Sequence, residues 1–389
     1  MKHLTWQLTL TLLMGLLVPW GTLTGQQGNA RKRAKALFAR WDKNRDGKLV
    51  PAELPESARP NFHRVDKNRD GTISLREHAD YLTRTRSPVT TPRRDKGLQR
   101  ITVRRNIPYA DTENPRQMLD LILPRVRDTN QKPLPVIVWI HGGAWLGGSK
   151  DNGVNRLGSF VSTGQFAGVS IGYRLSHEAK WPAQILDCKA AIRWIRGNAD
   201  KYHLDANNIA AYGTSAGGHL SAMLGVSGDH PQLEGKLGKY THYPSRVTCV
   251  IDFFGPTAFL MMDDHPGDIT HDAPDSPESR LIGKPIQQDP KLSHQASPVA
   301  HVSQDDAPHL IVHGTRDRLV PFHQSTLFHA TLKQAGVPST LITVREGQHG
   351  VQGQLLNKRI TQFLRRHLYG ETNTLRDEVL DSKALQHNR

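Results

Sequence analysis

A serine flanked by two glycines is the first group of residues that could do chemistry. Residues 213–217 read Gly-Thr-Ser-Ala-Gly, with an apolar run over 209–212 before them and a helix-like composition after them. This pattern predicts a sharp turn from a buried strand into a helix, and the turn needs small residues around Ser215 because the two backbones nearly touch. The turn would expose Ser215 Oγ and direct the amide of Ala216 to the same point. A free serine is a weak nucleophile, so a base and an acid must come from elsewhere.

Two loops further along the chain could supply those partners. An apolar run over 309–313 leads into a loop that contains Asp317, and a second run over 341–345 leads into a loop that contains His349. The carboxyl ends of parallel strands meet at one edge of a sheet, so these loops can reach Ser215. The order Ser, Asp, His predicts that Ser215 attacks an acyl carbonyl, His349 transfers the proton and Asp317 holds the imidazole tautomer.

Other acids and histidines compete for these roles. Asp252, in the strand predicted over 247–254, is the one serious rival for the acid. We interpret His313 and His323 as structural, because the first lies within a strand and the second begins a helix.

The sequence His-Gly-Gly-Ala-Trp at 141–145 predicts the donors that a developing oxyanion requires. Backbone amides approach an oxyanion closely only where side chains do not obstruct them, which favours glycine. We expect Gly142 or Gly143 to form the oxyanion hole together with the amide of Ala216. The following residues 147–150 are expected to line the cleft.

A different chemistry is indicated nearer the amino terminus, where two 12-residue loops repeat at a period of 24. Loops 42–53 and 66–77 both match D-x-N-x-D-G-x₅-E, and the stretch from Leu37 to Leu82 resembles the EF-hand family. Hard Ca²⁺ prefers six to eight oxygen ligands. The predicted ligands are Asp42, Asn44, Asp46, Lys48 and Glu53 in the first loop, and Asp66, Asn68, Asp70, Thr72 and Glu77 in the second.

The two loops are expected to form one unit, with Leu49 and Ile73 paired in a short β-bridge. The period is shorter than in the usual EF-hand pair, so we expect a structural or attachment module rather than a sensor. Dockerin modules are a less similar alternative, because their loops commonly end in Asp.

The remaining pattern predicts an α/β fold in which helices cover both faces of a mostly parallel sheet, preceded by a small helical EF-hand pair. Eight strands are predicted, at 101–108, 118–123, 136–140, 167–172, 209–212, 247–254, 310–313 and 340–345. The predicted segments are a signal peptide at 1–25, the EF-hand pair at 31–82, a linker at 83–100, a catalytic domain at 101–369 and a polar tail at 370–389.

The signal peptide predicts a secreted or periplasmic protein. The apolar run Leu8–Val18 spans 11 residues, which is short for a bilayer, so an integral membrane protein is not expected; an uncleaved anchor is the alternative. Net charge is +15, and residues 31–105 carry 21 Lys or Arg against nine Asp or Glu. This basic part could bind an anionic surface or polymer. Nucleic acid is not expected, since no stacking platform or base-reading motif accompanies the charge.

Taken together, the motifs HGGAW at 141–145, GTSAGGH at 213–219, HGTRDRLVP at 313–321 and GQHG at 347–350 resemble one branch of the α/β-hydrolases. That branch contains bifunctional acetylxylan/feruloyl esterases and hormone-sensitive-lipase-like carboxylesterases, and the resemblance covers residues 101–368. It implies a serine carboxylesterase that needs no cofactor for catalysis and acts on small acyl or aryl esters, including acetyl or feruloyl groups on polysaccharide. Ala144 stands where many relatives have a third glycine.

Three alternatives remain open from the sequence. Kynurenine formamidases also carry an HGG-x-W loop, and prolyl-oligopeptidase-like enzymes share the order of the triad, so an amidase or peptidase is the second hypothesis. A catalytically idle hydrolase fold, with the calcium pair binding a partner protein, is the third. The acidic and histidine-rich stretch 263–275 could also hold a metal ion, although a polar excursion over the cleft is the simpler interpretation.

Overall fold

The computed structural model describes residues 35–54, 62–68, 70–85, 100–126, 132–228 and 230–386. The predicted signal peptide 1–25 and residues 86–99 of the predicted linker lie outside these ranges. The chain divides between Arg94 and Asp95 into two compact units, within the predicted linker. None of the described helices combines the length and the apolar character that crossing a membrane requires.

The described residues of the smaller unit form two short strands and three helical segments. Strands β1 (Lys48–Leu49) and β2 (Ile73–Ser74) pair antiparallel, with Leu49 opposite Ile73 as the sequence predicts. Helix α1 covers residues 35–41, α2 covers Phe62–Val65 and α3 covers Leu75–Thr85. Helix α3 therefore includes the first three residues of the linker predicted at 83–100. Among the described residues, the buried core of the smaller unit consists of Phe38, Leu49, Leu54, Phe62, Val65 and Ile73.

In the larger unit, nine of the described strands form one sheet in the order β11-β10-β9-β8-β7-β5-β6-β4-β3. The pairs β3–β4 and β4–β6 are antiparallel, and all other neighbours are parallel. The strands are β3 (Ile101–Pro108), β4 (Met118–Pro124), β5 (Leu134–Ile140), β6 (Ala167–Ile171), β7 (Leu204–Thr214), β8 (Cys249–Phe253), β9 (His309–Gly314), β10 (Ser339–Arg345) and β11 (Glu378–Asp381).

Strand β11 corrects two predictions, the eight-stranded sheet and the polar tail at 370–389. It lies in that tail and pairs parallel with β10, and a short helix, α13 (Ser382–Gln386), follows it. Leu380 is the one buried residue of the strand, so no apolar alternation marks it in the sequence. An ion pair of 2.7 Å between Arg359 Nε and Glu378 Oε2 also binds the strand to the rest of the unit.

Helices cover both faces of the sheet because its central strands carry buried apolar side chains on both faces. Val136, Val138 and Ile140 of β5 belong to one core cluster, and Ile137 and Trp139 belong to the other. The helices are α4 (Gly153–Val161), α5 (Ala183–Gly197), α6 (Ala199–Tyr202), α7 (Ala216–Val226), α8 (Pro231–Glu234), α9 (Pro277–Ile282), α10 (Pro290–Gln295), α11 (His323–Gln334) and α12 (Gln354–Tyr369). The loops that follow β5, β7, β9 and β10 lie at the carboxyl edge of the sheet, where the predicted active site should form.

Candidate active site

Ser215 occupies the tight turn between β7 and α7. Its backbone lies at φ 56° and ψ −126°, a conformation that costs free energy in a residue other than glycine and is concentrated at functional sites. A Cβ on Gly213 would lie 2.0 Å from the carbonyl oxygen of Gly217, and one on Gly217 would lie 2.1 Å from that of Ile140. The glycines on either side are therefore required by close backbone contact, as the sequence predicts. The amide of Ser215 donates to the carbonyl of Phe253 at 2.8 Å, which binds the turn to β8.

Asp317 and His349 are joined by a hydrogen bond of 2.7 Å from His349 Nδ1 to Asp317 Oδ2. The Asp317 carboxylate is fully buried, and its Oδ1 accepts the amides of Leu319 at 2.9 Å and Val320 at 3.0 Å. Burial alone would raise the pKa of Asp317, but hydrogen bonds from His313 and His349 hold it well below its usual range. The acid therefore stays ionised and can stabilise a histidine cation.

His349 and Ser215 line the same cleft, which has a volume of about 800 Å³. Because Nδ1 of His349 is bound to Asp317, Nε2 is the nitrogen left to exchange a proton with a nucleophile. The ring of His349 also packs against Phe254, with 4.4 Å between ring centroids. The structure thus brings together the three residues that the sequence selects, at the sheet edge expected for them.

Asp252, the rival acid, has a different environment. It is fully buried in β8, where Oδ1 accepts the amide of Gly255 at 3.0 Å and Oδ2 has no partner among the described residues. Burial raises the pKa of Asp252 to about 7. The hydrogen bond of His349 goes to Asp317, so Asp252 is not part of the triad.

His313, which we interpreted from the sequence as structural, contacts the predicted acid of the site directly. Its buried ring places Nε2 at 3.1 Å from Asp317 Oδ2 and at 3.0 Å from the carbonyl of Val320, so Nε2 donates a proton. Nδ1 lies 2.7 Å from Ser325 Oγ, which fixes the ring from the other side. His313 therefore holds the carboxylate of Asp317, the predicted acid, in place. The four-residue spacing between His313 and Asp317 is the signal in the sequence that could have indicated it.

The oxyanion loop 141–145 is packed directly against the nucleophile. A Cβ on Gly142 would lie 2.7 Å from the carbonyl of Thr214 and 3.3 Å from Ser215 Cβ, while Gly143 adopts φ +118°. The amides of Gly142 and Gly143 donate no hydrogen bond within the described part of the chain. Ala216 is the first residue of α7, so its amide has no intrahelical acceptor. All three predicted donors are therefore available to a negatively charged oxygen.

A buried ion pair anchors the segment after this loop. Lys150 Nζ lies 2.7 Å from Asp120 Oδ1 and 2.7 Å from Asn106 Oδ1, and Arg105 binds the other oxygen of Asp120 at 2.8 Å. Ser149 lines the cleft as expected, whereas Lys150 is buried against the sheet. This network was not predicted, because the partners come from strands β3 and β4.

The two predicted calcium loops share one arrangement. Asp42 Oδ2 accepts the amide of Gly47 at 3.0 Å, and Asp66 Oδ2 accepts the amide of Gly71 at 3.0 Å. In both aspartates the second oxygen, Oδ1, is buried without a hydrogen-bond partner among the described residues. A buried carboxylate oxygen without a partner is costly, and a cation would satisfy it.

The remaining predicted ligands bind within their own loops. The amide groups of Asn44 and Asn68 donate to Asp46 at 2.9 Å and to Asp70 at 2.8 Å, and Thr72 Oγ1 also donates to Asp70. Glu53 and Glu77 accept backbone amides at both carboxylate oxygens, and Lys48 lies in β1. Among the described residues, no three His, Cys, Asp or Glu side chains converge as a metal-binding group.

The acidic stretch 263–275 has structural partners. Asp263 accepts the amides of His271 and Asp272, and His271 pairs with Glu278. Asp268 pairs with Arg318, which lies in the loop of Asp317. The stretch is therefore a polar excursion bound to the rim of the site, in line with the simpler interpretation.

Comparisons with known proteins find esterases that are similar in sequence or fold. A carbohydrate esterase from gut microbiota, in truncated form, is 35% identical, with a TM-score of 0.62 over 69% of this chain and 96% of that one. Esterase 2 from Thermogutta terrifontis is 25% identical, with a TM-score of 0.55 over 71% of this chain and 96% of that one.

Esterase LipC of Mycobacterium tuberculosis is 34% identical over 236 residues, which is 60% of this chain and 56% of that protein. The chain thus spans about half the length of the curated relatives that it matches. The BD-FAE family model matches residues 119–332, a segment that contains Ser215, Asp317 and the oxyanion loop. With more than half of its length covered by that model, the chain belongs to the BD-FAE family.

Proposed function

We propose that the protein is a secreted serine carboxylesterase that hydrolyses acyl or aryl esters, such as acetyl or feruloyl esters on polysaccharide, through an acyl-enzyme. The observation that carries the proposal is the hydrogen-bonded pair of Asp317 and His349 in one cleft with Ser215 at its strained turn. The names of the relatives, which include esterases and a carbohydrate esterase, support the same reaction class.

In the first half-reaction, Ser215 Oγ attacks the ester carbonyl while His349 Nε2 takes its proton. Asp317 keeps the proton of the imidazole on Nδ1 and stabilises the cation that forms. The amides of Gly142 or Gly143 and of Ala216 bind the oxyanion of the tetrahedral intermediate. His349 then returns the proton to the alcohol oxygen, the alcohol leaves, and Ser215 remains acylated.

In the second half-reaction, water replaces the alcohol. His349 takes a proton from the water as it attacks the acyl carbonyl, and the same amides bind the oxyanion again. Collapse of the intermediate releases the carboxylic acid and returns the proton to Ser215. No step requires a group beyond these side chains and amides.

Hydrolysis of a short substrate panel tests the proposal. The panel contains p-nitrophenyl acetate, p-nitrophenyl decanoate, methyl ferulate, acetylated xylan and N-formylkynurenine, each measured with the full chain and with Ser215→Ala. Serine-dependent release from acetylated xylan or methyl ferulate would support the polysaccharide esterase. Release from N-formylkynurenine alone would replace it with an amidase, and no turnover of any ester would favour the idle interaction protein.

We further propose that the smaller unit binds two calcium ions, one in each loop, in a structural role. The two buried oxygens without partners, Asp42 Oδ1 and Asp66 Oδ1, support this, because both occupy the first ligand position. When bound, calcium would supply a positive charge shared by the loop carboxylates. Titration calorimetry should show two sites in the full chain and none in Asp42→Asn/Asp66→Asn, with Asp80→Asn as a control in the same unit. Unchanged binding by the double variant would contradict the assignment.

The cellular location remains a proposal that rests on the signal-like residues 1–25. Amino-terminal sequencing of protein recovered from culture medium or periplasm would show whether that segment is removed. Retention of the mature protein on an anionic polysaccharide column at low salt, lost on deletion of residues 26–94, would support a role of the basic part in attachment.

A further inference from the structure

One wall of the active-site cleft carries polar side chains that the reaction itself does not use. This wall, the 152–156 wall, consists of Asn152, Asn155 and Arg156 at the start of α4, and all three are exposed. They line the same cleft as Ser215 and His349. A substrate bound at the nucleophile would therefore extend along these side chains or close to them.

The electrostatics of the cleft favour an anion. None of the described residues that line it is an aspartate or a glutamate, and Arg156 is its one arginine or lysine. Among the described residues Arg156 forms neither an ion pair nor a hydrogen bond, and Asn152 and Asn155 have no side-chain hydrogen bond. The neighbouring carboxylate of Asp151 lies outside the lining and accepts the hydroxyl of Ser149 at 2.8 Å.

Stacking on an aromatic ring holds Arg156 in place. Its guanidinium carbon lies 5.2 Å from the centroid of the Trp139 ring, which is 2% exposed and packs edge-on against Tyr212. An arginine stacked on a buried ring keeps the N–H groups at its edge free, and loses less conformational entropy on binding than an unrestrained side chain. The side chain of Arg156 is therefore preorganised for binding, unlike a freely moving arginine at the surface.

We propose that the 152–156 wall binds an anionic substituent, a carboxylate or a sulfate, on the sugar that carries the ester. Arg156 would bind the anion with two parallel N–H groups, and the amides of Asn152 and Asn155 would bind hydroxyl groups beside it. The inference extends the proposed function by assigning a charge to the alcohol side of the substrate. It depends on that function, because the wall matters only if an ester reaches Ser215.

A pair of matched substrates tests the inference. We would compare kcat/KM for acetylated xylo-oligosaccharides that carry a glucuronate side group with kcat/KM for neutral ones of the same length and acetylation. The wild-type ratio of anionic to neutral substrate should exceed one. In Arg156→Gln this ratio should fall on the order of tenfold, chiefly through KM for the anionic substrate, as expected from one charge-assisted contact. Arg156→Lys should recover part of the ratio, because it keeps the charge but not the fork.

Arg104→Gln is the control, since Arg104 also stacks on an aromatic ring, at 5.3 Å from Tyr202, but lies on β3 outside the cleft lining. It removes the same charge and should leave the ratio unchanged. A ratio equal in the wild type and in Arg156→Gln would overturn the inference, while hydrolysis of the neutral substrate would show that the esterase proposal still holds. If the wild type hydrolysed neither the anionic nor the neutral substrate, the proposed function itself would be contradicted.

Competition distinguishes the two anions. Ester-free oligosaccharides bearing glucuronate or sulfate are added to the neutral reaction, and the better competitor in the wild type, weakened in Arg156→Gln, identifies the substituent. If neither anionic oligosaccharide competes better than a neutral one, the inference is wrong.

Discussion

The two units of the chain hold their functional loops in different ways. In the larger unit two extensive apolar clusters, one on each face of the sheet, surround the strands β7, β9 and β10, which lead to Ser215, Asp317 and His349. The described part of the smaller unit has six buried apolar residues, and its loops are shaped by carboxylate and amide side chains that bind their own backbone. The comparison shows that a large core can fix a site by packing, whereas a small one must rely on local polar contacts.

This difference explains which costly features each unit contains. The larger unit holds a nucleophile in a strained backbone conformation, an acid with a pKa raised by burial and a buried lysine bound to Asp120. Each of these destabilises a fold unless burial elsewhere offsets it. Below about 70 to 80 residues a core rarely supplies that margin, and small domains depend on metals or cross-links instead.

The largest expected effect tests whether catalysis depends on the predicted acid of the larger unit. Asp317→Asn should lower kcat for p-nitrophenyl acetate about 10⁴-fold, because the histidine loses both its tautomer and its counter-ion. Asp200→Asn, an exposed change on α6, is the matched control and should leave kcat unaltered. A loss below tenfold for Asp317→Asn, with the fold intact by circular dichroism, would remove Asp317 from the triad.

A second change tests whether the larger core carries a penalty from its buried acid. Because the pKa of Asp252 is raised to about 7, the folded protein keeps a proton that the unfolded chain releases near pH 4. The stabilisation that comes from keeping Asp252 protonated is therefore fully present below about pH 4 and decreases as the pH rises towards 7. Asp252→Asn cannot ionise, so its advantage over the wild type in urea unfolding should grow across that interval, by up to about 4 kcal/mol. Parallel stability curves for the two proteins would show that Asp252 does not titrate there.

The opposite shift of Asp317 does not obscure this interval. Its pKa is lowered, so its contribution to stability is present above about pH 4 and is lost as the pH falls further.

The third prediction concerns the small core. Leu49→Ala should destabilise the smaller unit by about 2–5 kcal/mol, since Leu49 is fully buried and pairs with Ile73 between the two loops. Scanning calorimetry should show the loss in one transition only, with kcat unchanged. Leu75→Ala, at a side chain that is 37% exposed, should cost much less. If Leu49→Ala lowered both transitions equally, the two units would not unfold independently.

The smallest effect sharpens the comparison from the side of the metal. If each loop binds one calcium ion, adding a chelator to protein kept at a calcium concentration about 10 times Kd should remove about 1.4 kcal/mol per ion, or about 2.8 kcal/mol in all, from the stability of the smaller unit. We expect kcat to stay constant, because the triad and its donors lie in the other unit. A large fall in kcat on chelation, without loss of the fold, would show that the units are coupled.

Local spacing allowed a good deal of this structure to be predicted. The turn at Ser215, the order of Ser215, Asp317 and His349 and the pairing of Leu49 with Ile73 all depend on contacts close in sequence or on the rules of parallel sheets. These features could be predicted because, at each position, one physical requirement determines which residue type can be present.

Features made by long-range contacts could not be predicted in the same way. Lys150 meets Asp120 across 30 residues, and its burial depends on how β4 lies beside the loop. In the sequence, His313 cannot be distinguished from other histidines in apolar strands. Its role depends on the loop after β9, which brings Asp317 to its ring. The wall at 152–156 becomes part of the cleft only because the fold brings the start of α4 to the same cleft as Ser215.

Strand β11 has a consequence for how the protein behaves in concentrated solution. Without it, β10 would present a row of unpaired amides and carbonyls that another chain could extend as a further strand. The strand that covers this edge is four residues long, begins with Glu378 and ends with Asp381. A strand of only four residues is a poor template for intermolecular pairing, and the exposed carboxylate of Asp381 places a charge at its end that disfavours such pairing further. Residues 378–381 therefore protect the sheet against aggregation, and cleavage ahead of them should lower solubility before it lowers activity.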